Sequence, residues 1–347
     1  MFSKNLKYYR LKARLTKREL ASMVGVTPVA IGNYEKGTRK PSMEILKALA
    51  EKLQVGVADF LNSRNNKLTF SHGDFRKIST FSNADQEYVR ESVEEYFSRF
   101  FTVVDILGDK VLPDIPLCKK LQVTNDFEND ARVLRKHLGL AEDGPIDDLV
   151  NILENKGILV FECYMEGQGF SGISGFVNNR PYITYNSNMT AERKRSTIAH
   201  ELVHLMFVFP DSLDKKDEEK LATAIGGAFL LPRSDLEREL GLHRSGITKD
   251  MLLVCVEYGV SLLLLAFRAN DIGIVNTASY KEFMVRASKA GWRKNEPSRI
   301  DAETPFLFKQ LVYRAINENE ISINKGAELL QLSYDEVMDS CCFNGVE

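Results

Sequence analysis

Two histidines set four residues apart, in the stretch Ser196-Thr-Ile-Ala-His-Glu-Leu-Val-His-Leu-Met-Phe207, constrain this chain more than any other feature. Residues i and i+4 of a helix share a face, so His200 and His204 can offer two imidazole nitrogens to one ion. Glu201, a step round the turn, then faces the ion's open side, which is the geometry of a zinc hydrolase. The motif needs a rigid helix with apolar flanks, and Ile198, Leu202, Leu205 and Met206 provide them. Thr190 is expected to cap this helix, Glu192 suits its positive end, and Pro210 is expected to stop it after Phe209.

A hydrolytic zinc takes three protein ligands and keeps one position open. The third is not the histidine of the longer HExxHxxGxxH pattern, because position 207 is Phe and position 210 is Pro. The other histidines, His72, His137 and His243, are far away in sequence, whereas Asp211, Asp214, Asp217, Glu218 and Glu219 are near. Glu219 begins a stretch in which Ala222, Ala224, Gly226, Gly227 and Ala228 are small. Two glycines inside a helix cost about 1 kcal/mol each relative to alanine, which close packing on the first helix would offset. Such packing would bring a carboxylate on the second helix's first turn to the ion, and chemistry alone does not separate Glu219 from Glu218. Bound zinc would supply Lewis acidity, while Glu201 takes the proton of the attacking water and passes it to the leaving amine.

The 347 residues suffice for two or three globular domains, with 44% hydrophobic and 27% charged residues. The longest apolar run, residues 261–267, is too short to cross a bilayer, and the N-terminus lacks the apolar core of a secretory signal. A cytoplasmic location with no membrane partner is expected. Five scattered cysteines without CxxC spacing indicate reduced bystanders. The net charge of −2 hides a division: residues 1–67 hold fourteen Lys/Arg against five Asp/Glu, leaving the remainder at −11. A basic head on an acidic body predicts an anionic partner for the head.

In that head, Thr16 can cap a helix over 17–24, Gly25 allows a turn, and Thr27-Pro28 caps and starts a helix over 29–35. Gly37 and Pro41 end it, and Ser42 caps the next. Two short helices joined by a glycine turn make a helix-turn-helix. Thr16-Lys-Arg-Glu-Leu-Ala21, Gly25-Val-Thr27, Ile31-Gly-Asn-Tyr-Glu-Lys-Gly37 and Leu46-Lys-Ala-Leu-Ala50 resemble the XRE (lambda-repressor-like) family over about sixty residues. The resemblance implies double-stranded operator DNA as partner. It sets Pro28, Val29 and Asn33 at base edges, with Thr27 opening that helix, and Lys17, Lys36, Arg39 and Lys40 near phosphates. Pro28, Val29 and Gly32 offer little hydrogen bonding, so phosphate contacts would carry much of the affinity.

Residues 62–67 read as a linker, and 84–107 as one long helix with Tyr88, Val89, Tyr96, Phe97, Phe100, Phe101 and Val104 on one side and Glu87, Arg90, Glu91, Glu94 and Glu95 on the other. Packing against the body is its expected role, with homodimerisation as the alternative. Helices are expected over 124–138 and 146–155, then short strands at 158–161, 170–176 and 182–185, with a turn at Asn178-Asn-Arg180. The strand at 182–185, or a neighbour, would take an extended substrate by β-addition, with Tyr164, Tyr182 and Tyr185 as candidate oxyanion donors.

Ala199-His-Glu-Leu-Val-His-Leu205 followed by Glu219-x-x-Ala222-x-x-Ile225-Gly226-x-x-Phe229-Leu-Leu-Pro232 resembles the ImmA/IrrE family of zinc metallopeptidases over about 120–285. The resemblance implies Zn2+ held by His200, His204 and Glu219, with Glu201 catalytic. Thr223, Ile225 and Gly226 depart from the family pattern at positions read as packing. The tail, with its single tryptophan in a basic segment, is expected to form helices over 306–317 and 325–330, a helical packing module.

The expected fold class is therefore α+β and mostly helical. A helix-turn-helix domain (1–62) is followed by a linker and connecting helix (63–115), a zincin-like metallopeptidase domain with a small sheet (116–285) and a C-terminal helical module (286–347). The implied function is a transcriptional regulator whose zinc endopeptidase site cuts a repressor-type protein or the chain itself. The alternative is a non-proteolytic repressor or antitoxin-like regulator that uses the zincin fold to sense a ligand or partner.

Overall fold

Capping side chains decide where three of the first five helices start. The computed structural model describes residues 1–62, 64–65, 67–73, 81–124, 126–167 and 169–341. It opens with α1 (Phe2–Lys12), α2 (Lys17–Val24), α3 (Pro28–Lys36), α4 (Met43–Leu53) and α5 (Val57–Leu61). Thr16 and Glu19 form a reciprocal capping box on α2, Thr27 and Ser42 cap α3 and α4, and Gly25 and Gly37 end helices in the left-handed region. Leu6, Leu20, Ile31, Leu49 and Phe60 are fully buried at the centre of this bundle. Arg10, itself buried, joins α1 to α3 through Glu35 and also donates to the Leu15 carbonyl.

The chain then contributes a three-residue strand, β1 (Phe70–His72), to a second compact unit before α6 (Asn83–Leu107) returns it to the first. The acidic face of α6 meets the basic head: Lys7 pairs with Glu87 and Glu91 at 2.7 and 2.9 Å, and the buried Arg64 with Glu91 at 3.1 Å. Glu91 is 8% exposed, so the charged side of α6 is part of the packing.

The second unit comprises β1 and residues 112–308. Its elements are β2 (Leu121–Gln122), α7 (Phe127–His137), α8 (Leu149–Asn155), β3 (Leu159–Cys163), β4 (Gly172–Val177), β5 (Arg180–Asn186), α9 (Ala191–Met206), β6 (Phe207–Val208), α10 (Lys215–Leu230), α11 (Arg233–Leu240), α12 (Met251–Tyr258), α13 (Leu262–Asp271) and α14 (Thr277–Lys289). The sheet has the order β1-β4-β5-β3, antiparallel except for the parallel pair β3 and β5. Asn178 and Asn179, at φ 47° and 63°, make the two-residue hairpin turn that joins β4 to β5. Ile183 and Tyr185 of β5 pack under α9 with Ile198, Leu202 and Met206.

Four boundaries differ from expectation for local reasons. Helix α7 starts at Phe127 rather than 124 because Asp126 caps Glu128 and Asn129, and α8 starts at Leu149 because Asp148 caps Asn151. Helix α9 stops at Met206, short of Phe209, because Phe207 turns extended and pairs with Leu121 in a parallel two-stranded ladder. Helix α10 starts at Lys215 under an Asp214 cap, which sets Glu219 on its second turn rather than its first. Strand β5 is paired on both sides, so the expected substrate strand cannot add to it. Finally α15 (Leu307–Asn317), α16 (Ile323–Leu330) and α17 (Tyr334–Cys341) bring the chain back to the first unit, where Arg99 on α6 bonds the Leu329 carbonyl. Cys118, Cys163, Cys255 and Cys341 are free thiols, and Cys342 lies outside the described residues.

Candidate metal centre

Close contact between α9 and α10 builds the centre. A Cβ added at Gly226 would lie 3.2 Å from backbone atoms of Ala199 and His200, so the glycine is what lets α10 reach the histidine face. There His200 Nε2 stands 3.0 Å from His204 Nε2 and 3.3 Å from Glu219 Oε2, and His204 Nε2 stands 3.4 Å from Glu219 Oε1. These residues form the candidate metal-holding group, with donor atoms within 4.8 Å of one another. Donors about 2.0–2.1 Å from a tetrahedral zinc are about 3.3–3.4 Å apart, which matches the two histidine–Glu219 distances, while the histidine–histidine distance is shorter.

The outer nitrogens fix which atoms face inward. Thr223 donates its hydroxyl to the Glu219 carbonyl at 2.8 Å, so toward His200 Nδ1, 3.2 Å away, it acts as acceptor. His204 Nδ1 lies 3.3 Å from Glu218 Oε1, another acceptor. With both Nδ1 protons directed outward, the two Nε2 lone pairs and the Glu219 carboxylate converge on one point, a repulsive arrangement that a cation relieves. The donor set fits zinc.

Glu201, 8% exposed, accepts a hydrogen bond from the Ser174 hydroxyl of β4 at 2.9 Å. Gly172 lies under it: a Cβ there would stand 2.6 Å from Thr197 and 3.3 Å from Glu201. Glu219 thus lies on the inner side of the candidate group and Glu218 on its outer side. Thr223 does more than pack. Its spacing from Glu219 repeats the four-residue spacing of the histidines, and that was the available sequence signal. Ser174 had none, since a strand brings it from 27 positions away.

The remaining candidates have other partners. His72 Nδ1 is 2.6 Å from the Tyr182 hydroxyl, and His137 is 2.8 Å from the Leu117 carbonyl. Asp214 caps α10 and Asp217 pairs with Lys220 at 2.6 Å. Tyr182 alternates with Ile183 and Tyr185, so it points away from α9; Tyr185 donates to Glu162 at 2.9 Å, and Tyr164 is 59% exposed. None of these tyrosines has its hydroxyl on Glu201.

In the head, Pro28 and Val29 are exposed at the start of α3, Val29 at 70%, and Thr27 spends its hydroxyl on the Ala30 amide at 3.2 Å. Asn33 is half-buried, Lys36, Arg39 and Lys40 are exposed, and Lys17 Nζ rests 3.4 Å from Glu35.

Each of the two parts is similar to a known family. Residues 6–60 match the helix-turn-helix family, and residues 153–270 match the family described as the IrrE N-terminal-like domain, a Peptidase_M78 family. The chain joins a helix-turn-helix to an IrrE N-terminal-like domain. The second match spans β3 to α13 and so includes His200, Glu201, His204 and Glu219. A Bacillus subtilis (strain 168) protein described as the uncharacterized HTH-type transcriptional regulator YqaE is 34% identical over 70 residues, 20% of this chain. The chain spans 60% of that relative's length. A crystal structure of Bacillus thuringiensis PlcR in complex with the peptide PapR7 and DNA aligns with 98% of this chain and 94% of that one. At 14% identity and a TM-score of 0.18 it bears on neither fold nor function.

Proposed function

We propose that the chain is a DNA-binding transcriptional regulator with a zinc-dependent endopeptidase site that cleaves a repressor-type protein or the chain itself. The observation that carries the reading is the convergence of His200, His204 and Glu219 within 3.0–3.4 Å of one another, with Glu201 beside them on Ser174.

His200, His204 and Glu219 would hold the ion, and zinc bound there would supply Lewis acidity. The chain's own groups do the rest. Ser174 fixes one Glu201 oxygen, leaving Oε1 to take a proton from water and return it to the leaving amine. Thr223 and Glu218 hold the imidazoles in the ligating tautomer. The IrrE N-terminal-like match supports this chemistry, and the helix-turn-helix match, the basic head and the exposed start of α3 support DNA binding.

The zinc-loaded chain, incubated alone and with candidate XRE-type repressors, should give cleavage products. Glu201→Gln should keep about one zinc per chain and give none. Indistinguishable wild type and variant would overturn the peptidase reading in favour of a regulator that only binds.

A further inference from the structure

The sheet edge nearest Glu201 is already taken by the chain itself. Strand β4 carries Ser174, whose hydroxyl holds Glu201, and its inner edge is paired with β5. On its outer edge lies β1, antiparallel, with Phe70 opposite Val177, Ser71 opposite Phe176 and His72 opposite Gly175. The pairing continues toward the centre, where the Gly73 amide donates to the Ser174 carbonyl at 2.8 Å. A strand of this chain therefore runs along β4 toward the base and reaches the residue that positions it.

The fit is specific. A Cβ at Gly73 would lie 2.6 Å from the Ser174 carbonyl oxygen, and one at Gly175 would lie 2.5 Å from the Ser71 carbonyl oxygen and 2.6 Å from the Tyr182 hydroxyl. Two glycines thus permit the close approach, and His72 pins the strand from the far face through Tyr182 at 2.6 Å. The hold is also short, since β1 has only three residues with Ser71 exposed. A peptide to be cut must be presented extended beside Glu201, and adding to a sheet edge is how a sheet presents one. Among the described residues, the sheet edge that borders Glu201 is the outer edge of β4, because β5 is paired on both sides.

We propose that β1 with Gly73 is an internal competitor for the substrate edge, so that an extended peptide strand enters the site by exchanging with β1. The proposal rests on the peptidase reading and names its regulation. Substrate would then need to displace a three-residue strand, and any signal that withdraws β1 would raise activity without touching the metal centre.

The test compares the zinc-loaded full chain with two variants. Gly73→Val drives a side chain into the Ser174 carbonyl and should release β1. Ser71→Cys combined with Phe176→Cys should allow a disulfide that locks β1 in place. Two probes are read, turnover of fluorescein-labelled β-casein and anisotropy of a fluorescein-labelled dipeptide hydroxamate. Hydrogen exchange at β4 reports whether β1 has left.

Gly73→Val is expected to exchange faster at β4, cleave casein at least tenfold faster and bind the hydroxamate at least tenfold more tightly. The oxidised double variant should do neither until reduced. Faster exchange at β4 with unchanged turnover and hydroxamate affinity overturns the proposal and leaves the peptidase reading standing. If no form with zinc bound cleaves casein or binds the hydroxamate, the peptidase reading fails and the proposal falls with it.

Discussion

The head and the candidate metal centre place their candidate functional residues in opposite ways. Pro28, Val29, Lys36, Arg39 and Lys40 stand on the surface of a bundle whose core they do not enter, whereas His200 and Glu201 are themselves buried. In the head, function can be edited with little effect on folding. At the centre the ligands stand on packed helices, and Gly226, which lets α10 reach the histidine face, also sets the packing of α10 on α9, so editing it changes both.

The sharpest way to break that contrast is to look for equal strictness inside the head. Arg10 and Glu35 form a buried pair at 2.5 Å, with side chains 6% and 4% exposed. Removing one partner of such a pair costs about 3–5 kcal/mol. Arg10→Met should lower the urea-derived stability of the first unit by that amount, and a loss below about 1 kcal/mol would mean that Lys17 alone suffices for Glu35.

The second unit has a buried charge away from the centre. Glu154 accepts the amides of Phe306 and Leu307 at 2.9 and 3.0 Å, and burial pushes its carboxyl up to about 7. The folded state keeps a proton that the unfolded chain releases near pH 4.5, so this contribution is complete below that pH and is lost as pH rises through about 7. The shift corresponds to about 3 kcal/mol. Urea midpoints of the second unit should fall between pH 5 and pH 8, and Glu154→Gln should flatten the fall.

At the centre, Gly226→Val should cost about 1–3 kcal/mol by forcing α10 off Ala199 and His200, and should weaken zinc binding in step. Thr223→Val keeps the shape and removes the acceptor on His200 Nδ1, so zinc affinity should drop about 10–100-fold while the urea midpoint hardly moves. The smallest structural effect belongs to the head's surface. Lys36→Ala and Arg39→Ala should each change stability by less than about 0.5 kcal/mol. If they touch phosphate, each should reduce the salt dependence of DNA affinity by about 0.9 in log-log slope. A clear loss of stability from either would erase the contrast between the two regions.

The same contrast governed what could be read from the chain. Helices α2, α3 and α4 were legible because Thr16, Thr27 and Ser42 sit next to what they cap. His200, Glu201 and His204 were legible because one helix turn relates them. The small face of α10 correctly announced close packing, and Gly226 is the residue that realises it. Less legible was anything set by distant pairing: the end of α9, decided by β2; the role of Ser174, decided by the register of β4; and the acidic side of α6, which meets Lys7 and Arg64. Strand β1 was not visible at all, since three residues carry no periodicity and their partner edge lies a hundred positions on.

The central claim is that His200, His204 and Glu219 form one zinc site with Glu218 outside it. Equilibrium dialysis followed by metal analysis of wild type, Glu219→Ala and Glu218→Ala tests it directly. The account predicts about one zinc per wild-type chain, loss of that zinc in Glu219→Ala, and retention with about 10–100-fold weaker affinity in Glu218→Ala. A wild-type chain that binds no zinc, or a Glu219→Ala variant that holds it as tightly as wild type, would contradict it.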